Sequence, residues 1–117
     1  MDEARRNEEL ATQRRAQLLG FAYIDTSAMA DKPLFRDLLS LEELYQKRVV
    51  PLHVEKSRIV FGITTTTPQP VLSELESRFH DSVVQFVIIS DAGYKEYMRL
   101  YDPPKRVEYQ DISLSSS

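Results

Sequence analysis

The residues able to do chemistry in this chain are few and stand far apart. Its two histidines are His53, inside a β-branched run, and His80, at the end of an amphipathic segment. Neither has a carboxylate or second imidazole at metal-ligand spacing, so each reads as a surface residue of its element. Four consecutive threonines, Thr64 to Thr67, could offer hydroxyls to a phosphate if the following helix points its N-terminus inward. Phosphate loops, however, grip through glycines that expose backbone donors and a lysine behind them; this loop has neither, and a structural connector is the simpler reading. Gly62 reads as a close-packing position in a strand. Glu42, Glu43, Glu74 and Glu76 supply carboxylates, but on the charged faces of helical patterns, with no cleft to pair two of them as acid and base. No serine lies in a nucleophile-elbow sequence. Cysteine is absent, which removes thiolate chemistry and disulfides. The expectation is a chain with no catalytic, cofactor-binding or metal-ligating residues of its own.

Groups suited to recognition are more promising. Arg5, Arg6, Arg14 and Arg15 form the main basic concentration, interleaved with Asp2, Glu3, Glu8 and Glu9, and Asp2 with Arg6 is a four-apart pair that supports a helix. A solvated helix face accounts for them, yet Arg14 and Arg15 could also present guanidinium forks to an acidic partner or a phosphate. Tyr94, Tyr97 and Tyr101 recur at spacings of three and four on one helix face, which fits both core-edge packing and an interface. The formal net charge of -3 provides no overall attraction to nucleic acid or anionic lipid. The longest apolar runs, such as Phe86 to Ile89, are too short to cross a bilayer, and the acidic N-terminus lacks the features of a signal peptide, so a cytoplasmic module is expected.

The elements that must position these groups follow from the hydrophobic pattern. A length of 117 residues supports one domain with its own core. Asp2 to Gln17 is rich in helix formers but has only a thin apolar stripe, and Gly20 supplies a left-handed stop. Phe21 to Ile24 reads as a short extended piece. Asp31 can cap a helix through Lys32 and Pro33, with Leu34, Phe35, Leu38 and Leu39 at helical spacing. Ser40 and Glu43 form a capping-box pattern for a second short helix ending at Lys47 and Arg48.

Val49 to Val54 and Ile59 to Ile63 flank a polar turn and predict a hairpin. A helix starting near Pro70 follows, with Val71 or Leu72, Leu75 and Phe79 on its inner face. Val83 to Ile89 is a near-continuous apolar strand, suggesting cover on both faces. Ser90 or Asp91 caps the last helix, which Asp102-Pro103-Pro104 stops. This order predicts an α+β fold: a small three- to four-stranded sheet with a hairpin, packed against several helices. Residues 1–17 read as an N-terminal helix or the remnant of a preceding segment, 18–103 as one compact unit, and 104–117 as a linker or disordered tail.

An ordered series of short matches gives a resemblance. Leu19, Gly20, Tyr23 and Asp25 match an opening Leu-Gly and Tyr-Ile-Asp signature, Pro51 and Leu52 a Val-Pro-Leu strand, and Leu75 with Phe79 the helix after the hairpin. Over about residues 17–101 the chain resembles the N-terminal domain of the type II secretion and type IV pilus assembly ATPases. Thr64-Thr65-Thr66 stands where that family usually has Ala-Asp-Pro, and the helix before Val49 is out of step with its usual spacing.

The resemblance implies a noncatalytic docking or regulatory domain that couples a motor to its inner-membrane platform. ATP hydrolysis would belong to a further C-terminal domain. Its implied partners are platform proteins and that ATPase domain, without cofactor, nucleic acid or membrane insertion, and its place is the cytoplasm beside the inner membrane. The alternative is a nucleotide-sensing module, for cyclic di-GMP or a similar ligand, at the threonine loop or the Arg14-Arg15 helix. Some relatives bind cyclic di-GMP through Arg-Leu-Gly repeats, and Arg15-Ala16-Gln17 is not that motif, so no ligand residue carries over.

Overall fold

In the computed structural model, which describes residues 3–104, the chain runs α1 (Glu3–Leu19), β1 (Ala22–Tyr23), a 3-10 turn (Thr26–Ala28), α2 (Leu41–Lys47), β2 (Val49–Val54), β3 (Arg58–Ile63), α3 (Gln69–Arg78), β4 (Val83–Ile88) and α4 (Asp91–Tyr101). The expected tail from Lys105 onward, and Asp2 of the Asp2–Arg6 pair, lie outside the described residues.

The hairpin of β2 and β3 forms where the two β-branched runs place it, closed by the Glu55 amide donating to the Arg58 carbonyl at 2.7 Å. α3 then carries the chain from β3 to β4, which pairs parallel to β3, and β1 adds parallel to the far side of β4. The result is a mixed four-stranded sheet in the order β1-β4-β3-β2 packed with helices, the α+β architecture read from the pattern. β2 is an edge strand, where Pro51 costs no central ladder bond. A register shift lies between Pro51 and His53.

Phe61, fully buried, sits in register with Phe86 and stacks on it at 5.9 Å between centroids, and the Phe79 ring lies at the same distance from it. Leu44, Val49, Val50, Leu75, Ile88, Ile89 and Tyr97 are among the other most deeply buried side chains. A β-carbon on Gly62 would come within 3.1 Å of Ile89 Cδ1 and Leu52 Cδ1, so the residue is the close-packing position expected of it.

One helix stop and one helix start are built as the sequence implies. Gly20 takes φ +83°; its amide reaches the Gln17 carbonyl and that of Phe21 reaches Ala16, the paired bonds of a Schellman ending. Ser40 and Glu43 exchange side-chain to backbone hydrogen bonds at the start of α2.

Two expectations need correction. The helix from Lys32 through Leu39 does not form; residues 31–35 are irregular and a turn follows, with Leu38 N–H donating to Phe35 C=O. Tertiary contacts take the groups that a helix would have used. The Phe35 amide donates to the Tyr101 hydroxyl at 2.9 Å, and Arg36 reaches the Leu100 and Tyr101 carbonyls at the end of α4. The single helical turn lies earlier, at Thr26–Ala28, with the Asp25 carboxylate accepting from Ser27 N–H at 3.0 Å. β4, for its part, is not covered on both faces along its length. Ile88 is buried, but Val83 is 62% exposed and Gln85 lies open, alternating with Val84 and Phe86, which are partly buried against the core: one face of the strand's first half is left uncovered.

Candidate functional site

β1, β3 and β4 run parallel, so their carboxyl ends open on one edge of the sheet, where ligands of open parallel sheets commonly bind. There the threonine loop leaves β3, the Ile89-Ser90 step leaves β4, and α1 lies across the edge. Between them is a cleft of about 260 Å³ lined by Glu8, Thr12, Arg15, Thr65, Ile89 and Asp91, with Ala11 on its wall.

A polar network rather than an apolar stripe holds α1 in place. Only Glu9 and Ala16 of this helix are buried. Glu9, 5% exposed, accepts from Arg5 Nε at 2.6 Å, from Ser90 Oγ at 2.6 Å and from the Tyr23 hydroxyl. Arg5 extends the network to Glu96 at 2.7 Å, and that carboxylate is the chief reason its guanidinium is held protonated beyond the ordinary arginine range. Burial, reinforced by the hydrogen bond to Glu9, pushes the Tyr23 hydroxyl well above the usual tyrosine value. Glu8 accepts from the Ala92 amide at 3.0 Å, so a carboxylate of α1 already sits at the positive end of α4. Within that end, Ser90 Oγ accepts from Gly93 N–H at 2.9 Å.

The threonine loop is mostly self-satisfied. Thr67 Oγ1 donates to the Arg48 carbonyl at 2.6 Å and accepts from the Thr64 amide at 2.9 Å; the Thr64 and Thr66 hydroxyls meet at 2.9 Å. The first of these bonds ties the loop to the end of α2. Thr65 and Thr66 are exposed, and of the four threonines Thr65 lines the cleft.

The charged groups of the lining are two carboxylates and one guanidinium. Asp91 is paired with Arg48 at 2.7 Å and Glu8 with a helix end, while Arg15 is exposed with no ion pair among the described residues. Its guanidinium is the cation free to meet a single anionic group. Thr12 and Thr65 supply hydroxyls beside it, although Thr12 Oγ1 also donates to the Glu8 carbonyl at 2.8 Å.

The structure therefore brings together Arg15 and the threonine loop, which are 50 positions apart, and leaves Arg14 exposed outside the lining. Tyr94, Tyr97 and Tyr101 are 3%, 0% and 5% exposed and pack in the core. Their hydroxyls turn inward as well: Tyr94 donates to the Leu44 carbonyl, Tyr97 faces Met29 Sδ, and Tyr101 accepts from Phe35.

Of the signature residues, Pro51, Leu52 and Leu75 are core and Phe79 packs on Phe61. Asp25 is a cap, Gly20 a left-handed stop, Tyr23 a partner of Glu9, and Leu19 is 54% exposed. His53 and His80 lie at the surface beside Glu55 and Asp81. Among the described residues no three His, Cys, Asp or Glu side chains are grouped as metal ligands, and no helix is long and apolar enough to cross a membrane.

Sequence reasoning took Glu9 as part of a solvated face and left Thr26 without a role, although Thr26 is buried and its Oγ1 accepts from the Arg5 guanidinium at 3.5 Å. Arg5, Glu9, Thr12 and Ala16 follow one another at spacings of four, three and four, a single helix face that carries polar groups where an apolar stripe would be expected. That pattern was the available signal.

No protein-family model and no curated protein matches the sequence. Several solved chains share the fold, among them chains of XpsE and MshE. The N-terminal domain of XpsE superposes with a TM-score of 0.57 at 17% identity, covering 81% of this chain and 64% of that one. The structure of MshE with cdg superposes with a TM-score of 0.57 at 15% identity, covering 86% of this chain and 90% of that one. The chain thus spans under two thirds of the XpsE domain and nearly all of the MshE chain, and at these identities the likeness is one of fold.

Proposed function

We propose that this chain is a noncatalytic regulatory domain of a secretion- or pilus-type motor that responds to a nucleotide, cyclic di-GMP or a similar ligand, bound in the cleft between α1 and the threonine loop. The observation that carries this reading is the meeting of Arg15 and Thr65 at the carboxyl ends of the parallel strands. Likeness of fold over 90% of the MshE chain that was solved with cdg supports it, as does the sequence resemblance to the N-terminal domains of such motors. In this reading Arg15 forks to a phosphate, Thr12 and Thr65 meet sugar or phosphate oxygens, and ATP hydrolysis belongs to a separate C-terminal domain. The remaining lining carboxylates, Glu8 and Asp91, are engaged within the protein and repel a second phosphate, so one phosphate enters and the rest of the ligand stays at the mouth.

A second reading is docking to the inner-membrane platform, favoured by the exposure of Leu18 at 87% and Leu19 at 54% beside Arg14 at the end of α1. Isothermal titration calorimetry separates the two. Saturable heat with cyclic di-GMP that Arg15→Ala abolishes supports sensing. No heat, or heat unchanged by Arg15→Ala, overturns it and leaves docking, which is then tested by co-purification with motor and platform proteins from the native cell.

A further inference from the structure

A second groove, of about 310 Å³, runs between α2 and α4, with Tyr45, Arg48, Tyr94, Lys95, Met98 and Arg99 along it. Arg48 closes α2 in the left-handed region, φ 52°, a conformation that non-glycine residues adopt with strain. That geometry lays its guanidinium over the Tyr94 ring, 4.8 Å from the centroid, while one terminal nitrogen donates to Asp91 at 2.7 Å. Its Nε is buried without a hydrogen-bond partner among the described residues.

Lys95 and Arg99 stand one helical turn apart on the exposed face of α4, and neither has an ion pair among the described residues. The groove's own carboxylate, Asp102, is engaged by the Tyr45 hydroxyl at 2.8 Å. Elsewhere Lys47 is matched to Glu74, Arg78 to Glu43 and Arg58 to the Gln85 side chain. In a chain of net charge -3, this groove is a place where positive charge is left over. It is also apolar at its base: Tyr94 and Met98 are buried, and Tyr45, 47% exposed, forms a wall.

We propose that the α2–α4 groove binds an acidic segment of a partner protein, its carboxylates on Lys95 and Arg99 and an apolar side chain against Met98 and the Tyr45 ring. Charge complementarity selects an anionic partner. The concave apolar base selects a polypeptide with side chains to insert, over an inorganic anion or the flat surface of an anionic bilayer. The inference rests on residues other than those of the nucleotide reading: no groove residue lines the cleft that holds Arg15, although Arg48 reaches that cleft's Asp91.

The test is amide chemical-shift mapping of the full chain titrated with a synthetic peptide of repeating Glu-Glu-Phe units, with a Lys-Lys-Phe peptide and phosphatidylglycerol vesicles as parallel probes. Saturable shifts centred on Tyr45, Arg48, Lys95, Arg99 and Asp102 with the acidic peptide are expected. The double variant Lys95→Glu with Arg99→Glu should weaken binding by at least about tenfold, and its neutral counterpart Lys95→Gln with Arg99→Gln by less. Both pairs lie at exposed positions, and an unchanged circular dichroism melt verifies the fold. Failure of the acidic peptide to bind, binding at other residues, equal binding of the basic peptide, insensitivity to the charge reversal, or binding of vesicles alone would each overturn the proposal.

Discussion

Replacing Glu9 with alanine is the perturbation that most directly probes how α1 is held. The carboxylate accepts from Arg5 Nε and Ser90 Oγ, each at 2.6 Å, and from the Tyr23 hydroxyl, at a position only 5% exposed. Hydrogen bonds to a charged group contribute about 1.5–3 kcal/mol each, so three would sum to several kcal/mol. Two offsets reduce the loss. Arg5 keeps Glu96, and removal of the carboxylate relieves its own desolvation cost. The net destabilisation expected in urea denaturation is about 2–4 kcal/mol.

Glu9→Gln should cost about 1 kcal/mol, because its amide oxygen can serve Arg5 and Ser90 while its NH2 donates to the Tyr23 oxygen, which can also accept. Hydrogen exchange should show the loss concentrated in α1, since that helix buries little else. A loss below about 0.5 kcal/mol for Glu9→Ala, or equal loss of protection in α1 and β3, would refute the reasoning.

Other outcomes follow from single contacts. Gly93→Ala places a β-carbon 2.4 Å from Thr26 Oγ1, a clash that should destabilise by about 1–3 kcal/mol, with partial rescue by Thr26→Ala in a double-mutant cycle. Arg78, together with the Ser40 amide, holds the Glu43 carboxyl at about 2 against an ordinary 4.5. Stability from this group is therefore present above pH 4.5 and lost as pH falls toward 2, and Glu43→Gln should flatten that acid limb in denaturation measured across pH. Burial pushes the Tyr97 hydroxyl up to about 12 from 10.0, so its contribution is complete below pH 10 and lost as pH rises through 12. Tyr97→Phe should reduce the late portion of the tyrosinate absorbance titration; an unchanged curve would contradict the assignment.

Much of the scaffold was legible because local signals agreed with it. The Ser40 and Glu43 box, the hairpin, the Ser90 cap and the Gly20 stop are each set by residues within a few positions of one another. The segment from Lys32 to Leu39 failed for the opposite reason. Its leucines have helical spacing, but Phe35 and Arg36 answer groups of α4 more than 60 positions away, which no local window contains.

The site shows the same division. Arg15 and the threonines were visible as chemistry, whereas their meeting depends on the parallel pairing of β3 with β4 and on Glu8 and Glu9 holding α1 across the edge. The tyrosine spacing fitted both a core and an interface. The burial of the three rings and the inward partners of their hydroxyls come from tertiary contacts that no local spacing contains.

Amide chemical-shift mapping with cyclic di-GMP tests the central claim most directly. The account predicts saturable shifts at Thr12, Arg15, Thr65, Ile89 and Asp91 that vanish in Arg15→Ala. No shifts, or shifts confined to residues away from the α1 cleft, would contradict it.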